Sequence, residues 1–187
     1  MRPVGVLALQ GAFREHKKAL TQCGVKTLEV RKKEDIAAIS ALVIPGGEST
    51  TMGKLLVEWD IMEDIIARAK EGMPIFGTCA GMILLAKEIE GSDQPRVGLL
   101  NVAVKRNAFG RQVDSFEAEL DVAGFDEPVL GVFIRAPYIS AVGDGVEILA
   151  VHEKKIVMVR QKNLLACSFH PELTEDTRIH QFFINMI

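Results

Sequence analysis

A chain of 187 residues that is 48% hydrophobic and 25% charged has the material for one α/β domain with a substantial core. Its net charge of −3, with Lys and Arg scattered rather than clustered, excludes a nucleic-acid surface or attachment to an anionic membrane, and no apolar stretch reaches transmembrane length. The cysteines, Cys23, Cys79 and Cys167, form no CxxC pair, which argues against a disulfide framework and a zinc site; with no signal sequence after Met1, they point to a soluble protein of the reducing cytoplasm.

Residues 4–9 are a continuous apolar run, as in a strand of a parallel sheet covered on both faces, and Gln10-Gly11 ends it. Residues 12–23 have helical spacing, with Phe13, His16 and Leu20 on one face and Gly24 at the C-cap position, so His16 reads as a packed residue. Residues 26–30 alternate like a strand nearer an edge, and the mixed charges of 31–35 read as a solvated loop. Residues 41–44 make a third strand that runs into Pro45-Gly46-Gly47-Glu48-Ser49-Thr50-Thr51. Two glycines at a strand end expose backbone N–H groups that suit a phosphate cradle, an oxyanion hole or only a tight βα turn, and Ser49 or Thr50 is placed to cap the next helix. A P-loop is excluded, because Gly47 is one residue too far from Gly53-Lys54 and Leu55 replaces the Ser or Thr that holds magnesium.

Asp60-x-x-Glu63 has the form of a capping box for a helix carrying Ile61, Ile65 and Ala69 to Gly72. An apolar run from Pro74 then enters Gly77-Thr78-Cys79-Ala80-Gly81, and a helical run leaves it. Strand, sharp turn and helix, with a glycine two residues to either side of Cys79, is the pattern of a nucleophile elbow. Cys79 would project into a cleft at a helix N-terminus, which favours a thiolate; an inert core cysteine is the alternative. The order β-α-β-α-β-α implies α/β architecture: a doubly wound, mostly parallel sheet with helices on both faces and ligands at the carboxyl ends of its strands.

Residues 88–95 are polar and read as a loop. Beyond them 97–104, 113–120, 129–134, 146–151, 156–161 and 164–169 read as strands, some extending the sheet and others forming a smaller antiparallel β layer within a single domain spanning 1–187. His170-Pro171-Glu172 ends the last of these. Pro171 should hold the chain extended, so that His170 and Glu172 point the same way and the carboxylate orients the imidazole. Thr174-Glu175-Asp176 then caps a helix with Ile179, Phe182, Phe183 and Met186 as its stripe. His152 and His180 read as surface or half-buried positions, and Cys167 as core.

Cys79, His170 and Glu172 would supply nucleophile, base and orienter for acyl hydrolysis through a thioester. The N–H of Ala80 and one from the Gly46-Gly47 turn, that of Gly47, would form the oxyanion hole, and a turn free to rotate makes such a hole a switch. These motifs, together with Leu7-Ala8-Leu9-Gln10-Gly11 and Asn107-Ala108-Phe109-Gly110-Arg111-Gln112, resemble the class I, triad-type glutamine amidotransferases, and among them the glutaminases that serve pyridoxal 5′-phosphate (vitamin B6) synthesis. The resemblance spans essentially the whole chain. It implies hydrolysis of L-glutamine to L-glutamate and ammonia by Cys79, His170 and Glu172, with glutamine held by Gly46, Gly47, Glu48, Ser49, Arg106, Ile134 and Arg135. A free amino acid offers an α-carboxylate to arginine and an α-ammonium to a carboxylate, and Arg135, ending an apolar strand, is an unusual place for an idle charge. The resemblance also implies no cofactor and no metal. As recipient of the ammonia it implies a (β/α)8-barrel pyridoxal 5′-phosphate synthase subunit in a large hetero-oligomer, with Gln10, Ala12 and Phe13 at the partner interface. Two other readings stay open on sequence: a cysteine hydrolase or deglycase-like enzyme on the same elbow, and a non-catalytic glutamine-binding regulatory domain.

Overall fold

Short apolar runs with no polar position between them must be covered on both sides, and the chain arranges its elements to do so. The computed structural model describes residues 2–106 and 115–187. The first half alternates β1 (Val4–Leu7), α1 (Phe13–Gln22), β2 (Thr27–Val30), α2 (Lys33–Ala38), β3 (Ala41–Ile44), α3 (Ser49–Glu58), α4 (Met62–Lys70), β4 (Ile75–Thr78) and α5 (Ala80–Leu85). There follow β5 (Ala86–Ile89), β6 (Leu100–Lys105), β7 (Ser115–Leu120), β8 (Val129–Ile134), β9 (Tyr138–Val142), β10 (Glu147–His152), β11 (Lys155–Gln161), β12 (Leu164–Cys167) and α6 (Arg178–Ile184).

Among the described residues one sheet runs β2-β1-β3-β4-β12-β11-β9-β6-β5, with β10 on β11, while β7 and β8 make a separate antiparallel pair. From β2 to β12 neighbouring strands are parallel, and β11 and β9 pair antiparallel. The pleat sends successive side chains to opposite faces. Leu42 and Ile44 of β3 join a core with Ile36, Leu56, Ile65 and Leu84 of α2 to α5. Val43 joins a second core with Leu20 of α1, Phe183 of α6 and Phe133 of β8. The doubly wound sheet and the small antiparallel layer are thus present, and each fully buried Leu or Ile stabilises them by about 2 kcal/mol. No helix among the described residues is long and apolar enough to cross a membrane.

Several local expectations are corrected. Residues 31–35 are not all loop: Asp35 Oδ2 accepts the N–H groups of Arg31 and Lys32, and α2 starts at Lys33, anchored by buried Ile36. Asp60 does not cap α4 but ends α3. It adopts φ 57°, its N–H reaches Val57 O, and the N–H of Ile61 reaches Leu56 O, the paired bonds of a Schellman motif with aspartate in the left-handed position. Strands β5 and β9 fall where a helix end, a loop and a gap between strands were expected. The last helix begins at Arg178; Thr174 Oγ1 is engaged by Pro171 O and the Asp176 N–H instead.

Four parallel strands, neighbours in the sheet, deliver the stretches that matter to one edge. Gln10, Gly46, Cys79 and His170 follow the carboxyl ends of β1, β3, β4 and β12. The close approach of α5 to β3 depends on Gly81, where a Cβ would overlap the carbonyl oxygen of Ile44. Gly81→Ala is therefore expected to lower unfolding stability by about 3 kcal/mol, since backbone rather than a flexible side chain must yield. Urea denaturation tests this, and an unchanged midpoint contradicts it.

Candidate active site

Strand β4 stops at Thr78 because the next residue takes φ 50°, ψ −106°, outside the regions that continue a strand or a helix. That residue is Cys79, and a side chain held there costs about 1–3 kcal/mol and persists only where its surroundings over-determine it. They do: the Cys79 N–H donates to Cys167 O at 2.9 Å, and its carbonyl accepts from Ile83 N at 3.2 Å. Sγ faces the carbonyl of Ile134 at 3.9 Å. Ala80 opens α5, so its N–H has no acceptor within the helix.

His170 is held by its N–H to Val132 O of β8 at 2.8 Å. Pro171 does not extend the chain, contrary to the sequence reading, but starts a 3-10 turn over Pro171–Leu173. That turn folds Glu172 back so that Oε1 lies 2.7 Å from His170 Nδ1. Burial pulls the imidazole's pKa down, but hydrogen bonds to Cys79 and Glu172 outweigh it and raise it from 6.5 to about 10. Burial pushes the Glu172 carboxyl up, and the neighbouring His16 and His170 bring it below its ordinary value. The carboxylate at 2.7 Å thus favours the imidazolium form of His170.

The diglycine turn closes the other side. A Cβ on Gly46 would stand 2.5 Å from His170 Cε1 and 3.4 Å from Cys79 Cβ, so the missing side chain is what lets the turn reach the pair. Gly46 O accepts the Ala12 N–H at 3.2 Å, and Gln10 Oε1 accepts the Glu48 N–H at 2.8 Å. Gln10 and Ala12 therefore back the turn, while Phe13 begins α1 under the guanidinium groups of Arg14 and Arg31. Neither Ser49 nor Thr50 caps α3. Glu48 does, accepting from Thr50 N at 3.1 Å and Thr51 N at 2.7 Å, and with the Thr51 hydroxyl these bonds hold its pKa at about 2.

A cavity of about 550 Å³ joins these parts, lined among others by Gly46, Gly47, Glu48, Ser49, Cys79, Ala80 and His170. Arg106, Ile134 and Arg135 line it as well. Arg135 takes φ 45° at the end of β8, so the strand stops where its side chain is needed. The 107–112 motif lies outside the described residues, and Glu172 stands behind His170 rather than in the cavity wall.

Sequence reasoning missed three neighbours. Gln94, in the polar loop, is buried, and its Oε1 accepts from Arg106 Nη1 at 2.9 Å and from the Thr50 hydroxyl at 3.3 Å. His16 and His180, read as packed and surface residues, are both fully buried behind Glu172, with His16 Nδ1 2.9 Å from His180 Nε2. Only His16's place on an apolar face hinted at this; His180 sits between Ile179 and Phe183, and that spacing was the overlooked signal.

A family model described as the SNO glutamine amidotransferase family matches residues 6–187. A protein of Pelotomaculum thermopropionicum called pyridoxal 5′-phosphate synthase subunit PdxT is 62% identical over 97% of this chain and 93% of its own. A protein of the same name from Desulforudis audaxviator is 57% identical over the full length of both. A crystal structure of a glutamine amidotransferase, 56% identical, superposes with a TM-score of 0.95 over 98% of this chain and 97% of its own. PurLQS from Thermotoga maritima, 19% identical with a TM-score of 0.74 over 99% of each chain, shares the fold.

The raised His170 pKa is a statement about stability. Because the folded value of about 10 exceeds the ordinary 6.5, the stabilisation is fully present below pH 6.5 and is lost as pH rises towards 10. Glu172→Gln should lower the His170 titration by about one unit or more and flatten that alkaline loss. The imidazole proton resonances read by NMR decide it; the same midpoint in variant and wild type contradicts the account.

Proposed function

The chain belongs to the SNO glutamine amidotransferase family, and on that premise we propose that it hydrolyses L-glutamine to L-glutamate and ammonia through a thioester on Cys79, the ammonia going to a pyridoxal 5′-phosphate synthase partner. The observation that carries this is the convergence of Cys79 and His170 on the Gly46 turn in one cavity, with Glu172 Oε1 2.7 Å behind His170 Nδ1.

In this reading Arg106 and Arg135 take the substrate's α-carboxylate, and ionised Glu48 faces its α-ammonium. Gly46, Gly47 and Ser49 bound the slot with Ile134. The Cys79 thiolate adds to the side-chain amide carbonyl, and the N–H groups of Ala80 and Gly47 meet the oxyanion. Imidazolium at His170 gives its proton to the departing nitrogen, so ammonia leaves and the γ-glutamyl thioester remains. Neutral His170 then takes a proton from water as the oxygen attacks the thioester, and glutamate and the thiolate–imidazolium pair are restored. Glu172 keeps Nδ1 protonated throughout, which presents Nε2 to the chemistry.

Ammonia set free in water protonates and loses its nucleophilicity, so the product needs a receiver. A (β/α)8-barrel synthase subunit in a hetero-oligomer of the cytoplasm fits that need, meeting this chain at Gln10, Ala12 and Phe13. Those residues adjoin the diglycine turn: Gly46 O is tied to the Ala12 N–H, and in a trans peptide the Gly47 N–H points the opposite way. A partner that moves Ala12 thereby moves an oxyanion donor. One such donor is worth roughly 10²–10³ in rate.

Ammonia release from glutamine by wild type and Cys79→Ala, each alone and with the synthase subunit, tests both halves. Wild type is expected to be at least about tenfold faster with the partner, and Cys79→Ala inactive throughout while keeping its thermal midpoint. Substantial activity in the variant removes the nucleophile, and equal wild-type rates remove the switch.

A further inference from the structure

Glu172 has two oxygens, and the reaction above uses one. Oε1 meets His170 Nδ1. Oε2, buried, has no hydrogen bond among the described residues, and 3.4 Å from it stands His16 Nε2. His16 Nε2 is also 3.0 Å from Thr78 Oγ1, and His16 Nδ1 is 2.9 Å from His180 Nε2. Helix α1, the end of β4 and helix α6 thus converge on the back of the carboxylate.

The protons in this cluster are constrained by burial. It depresses both imidazoles, His180 to about 3, so both rings are neutral at physiological pH and each carries a single N–H. Across the 2.9 Å contact one ring donates and the other accepts. If His180 Nε2 donates, the His16 proton sits on Nε2, aimed at Glu172 Oε2 and Thr78, and His180 Nδ1, which has no hydrogen-bond partner among the described residues, is a bare acceptor. The opposite tautomer buries an unpartnered N–H and turns a lone pair on the carboxylate, so it is the costlier one.

We propose that His16, its tautomer set by His180, is a positioning residue that holds Glu172 ionised and turned towards His170. The inference rests on the assignment of Cys79, His170 and Glu172 to catalysis. The titratable groups around the cluster are Glu15 on α1, His180 on α6, Cys167 at the end of β12, and His170 and Cys79 themselves. Lys18 and Glu175 pair at the surface nearby. Of these, His16 alone approaches Oε2 with a hydrogen-bonding nitrogen among the described contacts.

The test is the pH dependence of Cys79 alkylation by iodoacetamide on the full chain, followed by peptide mass, because it reads the thiolate and its imidazolium without any glutamine. A carboxyl deprived of its donor takes up a proton at higher pH, and the imidazolium and thiolate lose their support with it. His16→Leu, which keeps volume, should move the acid limb of the profile up by about one pH unit. His16→Gln, whose amide nitrogen reaches the same place, should restore most of that shift, and His180→Phe should show part of it. Coincident limbs in His16→Leu and wild type overturn the proposal, as does a shift that His16→Gln fails to reverse. If His16→Leu does not fold, an unshifted limb in His180→Phe overturns it instead. Glutaminase assays of the same variants separate the two readings: shifted limbs in a chain whose wild type releases no ammonia remove the function and leave the positioning role, whereas normal ammonia release with unshifted limbs removes the role alone.

Discussion

A carboxylate buried without a counter-charge is too costly to persist, and the site depends on how Glu172 is spared that cost. Its Oε1 is 2.7 Å from His170, and its surroundings hold the carboxyl below its ordinary pKa and the imidazole far above. The imidazolium that Glu172 supports is the positive charge nearest Cys79. Removing water from all three strengthens that attraction, because the interior screens less than solvent does. A thiolate nucleophile is favoured beside a cation, and the fold brings one to this strand end.

The rest of the structure keeps this charge set in place and leaves it accessible from one side. Parallel strands β1, β3, β4 and β12 end at one edge, so loops distant in sequence meet there without long excursions. Backbone approaches that any side chain would block are left to glycine at 46 and 81. The β7–β8 hairpin, outside the main sheet, supplies Ile134 and Arg135 to the cavity and the Val132 carbonyl that anchors His170. The small antiparallel layer is in this sense part of the site and not an ornament on the sheet.

Much of this was legible in the residues because the features concerned are local. Apolar runs at 4–7, 41–44 and 75–78 announce buried parallel strands, and Gly77-Thr78-Cys79-Ala80-Gly81 announces the turn whose geometry those glycines permit. What escaped depends on contacts the sequence does not display. Asp60 followed three residues later by Glu63 looks like the start of a helix, yet the left-handed Asp60 closes the previous one, since buried Ile61 completes the Schellman turn. Charged residues 31–35 hide a helix held by one isoleucine. Gln94 looks like any polar loop residue until the fold brings it against Arg106 and Thr50. His180 was misread because a histidine in an apolar stripe is polar by type, while its place among Phe76, Phe183 and His16 is set by α6 packing on α1 and the sheet.

In the proposed reaction Cys79, made nucleophilic by the His170–Glu172 pair, carries the acyl group of glutamine. The most direct measurement is peptide mass analysis after treating the chain, with its synthase partner, with a chloroketone analogue of glutamine. One equivalent of adduct is expected, confined to the peptide containing Cys79 and prevented by excess glutamine. Labelling of Cys23 or Cys167 in its place, or labelling that glutamine does not prevent, would contradict it.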